Sequence, residues 1–529
     1  MMAQIPLSLS CDSYQQILKA FNKVYANIPA ESSQSIFQFS KAFLGRKVKS
    51  GIACGHPTQG TLDWLTTNLG SFSSYVDYED LLSWNLRFDG MAALESLSPP
   101  QLASLTLRSD AINEEEKMCQ IMARLENKPL EAVYQYLDQF NVEAQKLAIT
   151  SLKEEVIRKK MLSLFMEATG AEFSTFRPGN WTHLLSERLA LFLPSAGEKE
   201  LEQILSRVSG CDSFRAVVSS LGHVHSSIPT PNQESIYKSL FAFLESQQST
   251  TGSACASKTR GMEAWLQDNL GAFAANAPYE DFTKLITDFS GFEVRHNLTS
   301  TQLAHVFFEP GILDSPEAVS SLLMPLENRP PADTIAFVTE FMAVAAQSGV
   351  NMMPNQEVRN MMFQAIFSKV KHLFTITSVS QYKDWFQNKL SLWLPSINAS
   401  ALNVLPRTIP CGVFKIIMTG LNGAFEQMSL DSHHDVYAFA QRYLASKTSQ
   451  GGDPCTENTR GSLGWLRSNF GAFSSLARYK DLTDINPDFS AMDAREAFTP
   501  AQLADYTLAS DVLRDNEKAG KVSTHAPER

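Results

Sequence analysis

Trp465-Leu-Arg-Ser-Asn469-Phe-Gly471-Ala-Phe473 is the third copy of a stretch that this chain writes three times. The earlier copies read Trp64-Leu-Thr-Thr-Asn68-Leu-Gly70-Ser-Phe72 and Trp265-Leu-Gln-Asp-Asn269-Leu-Gly271-Ala-Phe273, at intervals of 201 and 200 residues. Cysteines keep the same period. Cys11, Cys211 and Cys411 lie 200 residues apart, and Cys54, Cys255 and Cys455 follow at intervals of 201 and 200. A long internal period decides the architecture before any local signal does. It divides the chain into a first unit at 1–210, a second at 211–410 and a partial third at 411–529.

Within the repeated stretch, Trp and Leu read as a short helix closed by the glycine. A glycine just past the last turn takes the left-handed conformation that satisfies free carbonyls. Tyr78-Glu-Asp80, Tyr279-Glu-Asp281 and Tyr479-Lys-Asp481 follow, with the aspartate expected to cap a further helix. Ser290-Gly-Phe-Glu293 and the weaker Ser490-Ala-Met-Asp493 read as capping boxes. Ser98-Pro-Pro-Gln101, Thr299-Ser-Thr-Gln302 and Thr499-Pro-Ala-Gln502 read the same way, a hydroxyl and an amide satisfying two backbone donors. The second half of each unit is more diverged. Leu125-Glu-Asn127 matches Leu326-Glu-Asn328, and Trp181 to Ser195 is matched with Trp385 to Ser396. Residues 132–140 and 155–165 carry apolar side chains at helical spacing. Alternating strand patterns with hairpin turns are absent. The expected fold is all-α, an armadillo-like helical superhelix built from ~200-residue repeats whose neighbours share a core.

One cysteine pair per unit, kept in all three copies, predicts a disulfide in each: Cys11–Cys54, Cys211–Cys255 and Cys411–Cys455. Inert core cysteines are the alternative. Zinc is disfavoured, because two cysteines without companion ligands cannot close a tetrahedral site. Disulfides persist outside the cytosol, and three sequons agree, at Asn180, Asn297 and Asn398. Cys119 is left over and reads as a buried thiol, with an intermolecular link as the alternative.

Apolar residues make up 44% of the 529, enough for a substantial core. The net charge of −11 is spread along the chain without a basic stripe, so nucleic acid is not an expected partner. No apolar run is long enough to cross a membrane. There is no phosphate-binding glycine loop, zinc-protease helix or nucleophile elbow, and neither catalytic residues, metal ligands nor cofactors are assigned. His223-Val-His225 and His433-His434 place their rings on different faces of a helix, which disfavours a shared metal. The repeated aromatics Trp64/Trp265/Trp465, Phe72/Phe273/Phe473 and Tyr78/Tyr279/Tyr479 are read as core, with a sugar-stacking or protein-binding ridge as the alternative.

The third copy carries a recognisable pattern: Trp465 to Phe473, Tyr479 to Leu482, Asn486-Pro-Asp-Phe-Ser490 and Thr499 to Ala504. It resembles the mesothelin, stereocilin and otoancorin superfamily, over the first half of each unit and by register over the second. The resemblance implies an extracellular or cell-surface, glycosylated, non-enzymatic helical superhelix that mediates cell–matrix or cell–cell adhesion. Its implied partner is an extracellular glycoprotein or matrix component, with carbohydrate or mucin-type ligands, and it contributes no catalytic residues or ligand contacts. An intracellular helical-repeat scaffold for protein–protein interaction is the alternative reading. Residues 1–11 lack the basic and apolar regions of a signal peptide and read as the tail of a preceding unit, like Leu205 to Cys211. The chain ends on the polar stretch Lys518 to Arg529. It is therefore expected to be a piece of a longer array or of a gene missing its first exons.

Overall fold

A computed structural model describes residues 5–523 apart from 53, 55–59, 249–254, 256–259, 376–377, 449–454, 456 and 458–459. Residues 1–4 and 524–529, parts of the two terminal stretches read above, lie outside the described residues. The chain is all-α: helices joined by 3-10 turns, π turns and loops, with no strand among the described residues. It divides into two compact units, Met1–Thr287 and Asp288–Arg529. The first begins with α1 (Cys11–Lys23), α2 (Ala30–Lys49), α3 (Thr61–Asn68), α4 (Tyr78–Trp84) and α5 (Pro99–Arg108). Next come α6 (Glu115–Ala123), α7 (Leu130–Lys146), α8 (Glu155–Thr169), α9 (Pro178–Thr182) and α10 (Glu198–Leu205). Helices open again at the next two repeat cysteines, as Cys211–Val224 and Cys411–Gly423.

The glycines that close the repeated helix do so in the left-handed region, with φ of 55° at Gly70, 53° at Gly271 and 57° at Gly471. Two of them also make room for a side chain. The Asn22 and Asn422 amides press against Gly70 and Gly471, where a Cβ would collide with them. Each asparagine Oδ1 accepts the next backbone N–H, from Ser71 and Ala472, at 2.6 Å. The second copy has Gly222 at the asparagine position, and a Cβ on Gly271 would meet only Val218 Cγ1, at 3.3 Å. Gly471→Ala is therefore expected to cost about 2 kcal/mol, from left-handed strain plus the disturbed hydrogen bond. Gly271→Ala should cost about half of that, strain alone. Urea unfolding midpoints of the two variants distinguish these expectations.

The glutamine boxes form in full at Thr299 and Thr499, whose hydroxyls accept the N–H of Gln302 and Gln502 at 3.2 and 3.3 Å, and by their amide half alone at Ser98, whose hydroxyl has no partner among the described residues. The backbone N–H of Ser98, Thr299 and Thr499 donates to Oε1 of Gln101, Gln302 and Gln502 at 2.9 Å each. The buried amides of Gln101 and Gln502 also donate to two carbonyls of the 3-10 turn after the glycine, Ser73 and Val76, and Ser474 and Ala477, at 2.7 Å each. The start of this helix is thereby tied to the 3-10 turn that follows the repeated Trp helix. Ser290 departs from expectation. Residues 291–297 form turns rather than a helix, and the Gly291 N–H donates to Glu309 Oε1 at 2.8 Å. Glycine at a first helical position offers little resistance to that competitor. Ser490 does start a helix, the single turn Ala491–Ala494.

The repeated Trp and Phe residues are core. Trp64, Trp265, Trp465, Phe72, Phe273 and Phe473 are all buried, as are Tyr78 and Tyr279, while Tyr479 is half-buried. In the first unit Phe140 and Phe165 pack on Phe192, with ring centroids 5.1 and 5.3 Å apart. In the second, Phe341 packs on Trp393 at 5.0 Å. Each such ring contributes about 2–3 kcal/mol by leaving water. The matching of Trp181 with Trp385 does not hold. Both Leu193–Ser195 and Leu394–Ser396 are 3-10 turns preceded by a π turn, His183–Arg188 and Trp385–Lys389. Counting back from those turns puts Tyr382 of Val379–Asp384 at the place of Trp181 in α9.

Candidate functional site

The three cysteine pairs are disulfide-bonded as the spacing predicts, with Cα atoms 5.3, 5.3 and 5.5 Å apart and sequence separations of 43, 44 and 44. Each bond ties the start of its unit's first helix to the residues before the repeated Trp helix. The indole N–H of Trp265 donates to the Cys255 carbonyl at 2.7 Å, and that of Trp465 to the Cys455 carbonyl at 2.8 Å. The asparagine of the motif completes this joint. Asn469 Nδ2 donates to the Cys455 carbonyl at 3.2 Å and to the Trp465 carbonyl at 3.0 Å. In the second and third copies motif and disulfide thus form one clamp.

Cys119 is exposed, so the buried-thiol reading is corrected. Met118, Ile121 and Met122 of α6 are buried, and position 119 falls on the outer face, 3.7 Å from Lys160 Nζ. Among the sequon asparagines, Asn180 and Asn297 are exposed. Asn398 is half-buried, its Oδ1 accepting the Ala401 N–H at 3.0 Å as a helix cap. The aspartates of the Tyr-x-Asp motif are not caps, because they sit inside the first turn of their helices. Asp281 and Asp481 accept the hydroxyl protons of Tyr237 and Tyr437, at 2.9 and 3.1 Å. Burial and that carboxylate push both tyrosine pKa values well above the ordinary value.

The histidine pairs separate as expected. His225 Nε2 faces Asn276 Oδ1 at 3.1 Å, and His433 Nε2 faces the Phe425 carbonyl at 2.8 Å, while His223 and His434 are exposed. Among the described residues no group of three or more His, Cys, Asp or Glu side chains is arranged to hold a metal ion.

No known protein-family model matches this chain, and no curated protein matches it significantly.

Two concavities in the first unit remain to be weighed. One, of about 490 Å³, lies beside the π turn His183–Arg188. π turns often mark functional sites, but the charges here are committed to each other. Arg188 makes a two-pronged pair with Asp138 at 2.7 and 2.9 Å and lies 3.9 Å over the Tyr134 ring, while His183 Nδ1 meets Glu187 Oε2 at 2.6 Å. The other is an apolar groove of about 940 Å³ between α1 and α2, lined by Phe21, Val24, Ile28, Ile36 and Phe39, with Ile5 and Leu7 at its rim. Its counterparts in the later copies are engaged by a preceding short helix. Asn232 Nδ2 donates to the Ala196 carbonyl at 3.0 Å, just before α10, and the Ala399 N–H donates to Asp435 Oδ2 at 2.8 Å. Asn27, Ser32, Ser35 and Gln38 also line it, with no charged side chain among its lining residues.

Proposed function

We propose that this chain is a non-enzymatic extracellular or cell-surface protein that mediates cell–matrix or cell–cell adhesion by binding a glycoprotein or matrix component. The observation that supports it best is the set of three disulfides, one per sequence repeat, two of them joined to the recurring Trp helix through its indole. Such bonds persist where thiols are not kept reduced. The resemblance of residues 465–504 to the mesothelin, stereocilin and otoancorin superfamily supplies the adhesion half of the proposal and the armadillo-like superhelix. In that reading the units at 1–210, 211–410 and 411–529 stack and share their cores. Exposed sequons at Asn180 and Asn297 are consistent with it. No helix among the described residues is long and apolar enough to cross a membrane.

Non-reduced peptide mapping of protein from a secreting host is the test. The expected result is three linked peptide pairs, with glycan carried at Asn180 and Asn297 and less at the half-buried Asn398. Six free thiols on protein from its native source would overturn the extracellular reading and leave an intracellular scaffold.

A further inference from the structure

The first copy differs from the other two at one corner, where the last turn of α2 meets the end of α4. A Cβ on Gly45 would lie 3.9 Å from Trp84 Nε1. In the third copy the equivalent joint is a hydrogen bond, Thr448 Oγ1 donating to the Ile485 carbonyl at 2.6 Å. Past α2 the chain folds back on the helix. Gly51 takes a φ of 72°, and the Ile52 N–H donates to the Lys47 carbonyl at 2.9 Å. Past α4, Asn85 holds a tight turn. Its Oδ1 accepts the Arg87 N–H at 3.1 Å and its carbonyl the Phe88 N–H at 2.9 Å.

The residues at this corner are unlike their counterparts. Arg46-Lys-Val-Lys49 stands where the second copy has Ser246-Gln-Gln-Ser249 and the third Ser446-Lys-Thr-Ser449. Leu86-Arg87 stands where they have Thr287-Asp288 and Pro487-Asp488. Cations in a last turn complement the helix dipole, but the same helix ends with none in the second copy and one in the third. Nor does the turn need Leu86 and Arg87, since Asn486 builds it in the same way around Pro487 and Asp488. Two segments distant in sequence are thus each more cationic than in either other copy, and each adds a protruding aliphatic side chain. Arg46, Lys49 and Arg87 are exposed, with no carboxylate partner among the described residues. Val48, Ile52 and Leu86 are 37, 48 and 93% exposed. Thr287, Asp288, Pro487 and Asp488 are exposed as well, so exposure belongs to this position in every copy.

We infer that this corner docks on a lipid bilayer surface that carries anionic headgroups. Arg46, Lys47, Lys49 and Arg87 supply the attraction to the headgroups, and Leu86, Ile52 and Val48 enter the boundary between headgroup and acyl chain. Such binding grows with the cations near the surface and with the apolar area buried. A purely polyanionic partner, such as a sulfated polysaccharide, would use the cations and leave the protruding leucine without a role. The inference rests on the comparison of three copies and is independent of the adhesion reading.

The test is co-sedimentation of the full chain with vesicles of phosphatidylcholine and phosphatidylserine at roughly three to one. Binding should be about ten-fold or more weaker to phosphatidylcholine alone and should fall with added salt. Arg46→Gln with Lys49→Gln should weaken it by about twenty-fold, near five-fold for each cation lost. Leu86→Thr and Arg87→Asp borrow the residues of the second copy, so the turn accepts them and thermal unfolding should be unchanged. Each should weaken binding by about five-fold or more. Lys159→Gln with Lys199→Gln removes the same charge elsewhere on the unit and should leave binding within about two-fold. Absence of binding to the mixed vesicles, or binding that Leu86→Thr leaves intact, would overturn the inference. So would retention on heparin that is indifferent to Leu86→Thr while vesicles are ignored, because a sulfated polysaccharide would then be the partner. None of these failures bears on the cysteine mapping, which decides the compartment separately.

Discussion

Replacing Cys211 and Cys255 together by alanine is expected to cost about 4 kcal/mol of folding stability, the loop-closure entropy released when a cross-link across a loop of this length is removed. The bond spans 44 residues and lies within the unit Met1–Thr287. The loss should therefore fall on that unit's unfolding transition. The equivalent change at Cys411 and Cys455 acts within Asp288–Arg529 and should lower that unit's transition instead. Calorimetry of the two double variants, compared with fully reduced protein, checks the assignment. A shift common to both units in either variant would mean that the disulfides act across the whole chain. Single cysteine variants are less informative, since each leaves a reactive thiol.

Arg108→Ala is expected to be nearly as damaging, at about 3 kcal/mol, because removing one partner leaves a buried charge poorly compensated. The Glu143 side chain is only 2% exposed, and it receives Arg108 Nε at 2.6 Å, Lys146 Nζ at 2.9 Å and Gln139 Nε2 at 3.0 Å. Arg108 also pairs with Glu79, so it fastens α4, α5 and α7 together. Burial alone would raise the Glu143 carboxyl, but hydrogen bonds from Lys146 and Arg108 and their charges outweigh it and hold the pKa below the ordinary glutamate value. A carboxyl depressed in the folded state stabilises above its unfolded pKa, and that stability is lost as pH falls through the folded value. The wild type should accordingly lose stability on acidification through this range, and Arg108→Ala should flatten that loss. Adding Glu143→Gln to Arg108→Ala should recover part of the deficit, which urea titration over a pH series can measure.

Local punctuation was legible in the sequence because helix ends use few residue types for specific reasons. Gly70, Gly271 and Gly471 take the left-handed conformation, and Gln101, Gln302 and Gln502 reach back to their caps. The disulfides were legible because three copies keep both cysteines. Long-range polar partners were not. Asp281 looked like a cap because its acceptor role is local in sequence, whereas its actual donor, Tyr237, lies 44 residues upstream. The amides of Gln101 and Gln502 likewise find carbonyls 25 and 28 residues away. Trp181 was paired with Trp385 on residue type, and only the π turns reveal the three-residue slip. Cys119 misled for want of a comparison that the chain does offer. Its counterpart is Ser320, polar and equally exposed.

The Trp clamp also gives the molecule an optical reporter of its own redox state. The indoles of Trp265 and Trp465 are hydrogen-bonded to the carbonyl of a disulfide cysteine. An excited indole that close to a disulfide transfers an electron to it instead of emitting. Intact protein should therefore be dimmer than its tryptophan content implies and should brighten as Cys211–Cys255 and Cys411–Cys455 are reduced, a label-free signal of the opening of those two bonds. The same electron transfer makes these bonds photolabile, so prolonged near-ultraviolet illumination would cleave the staples that hold the repeats closed.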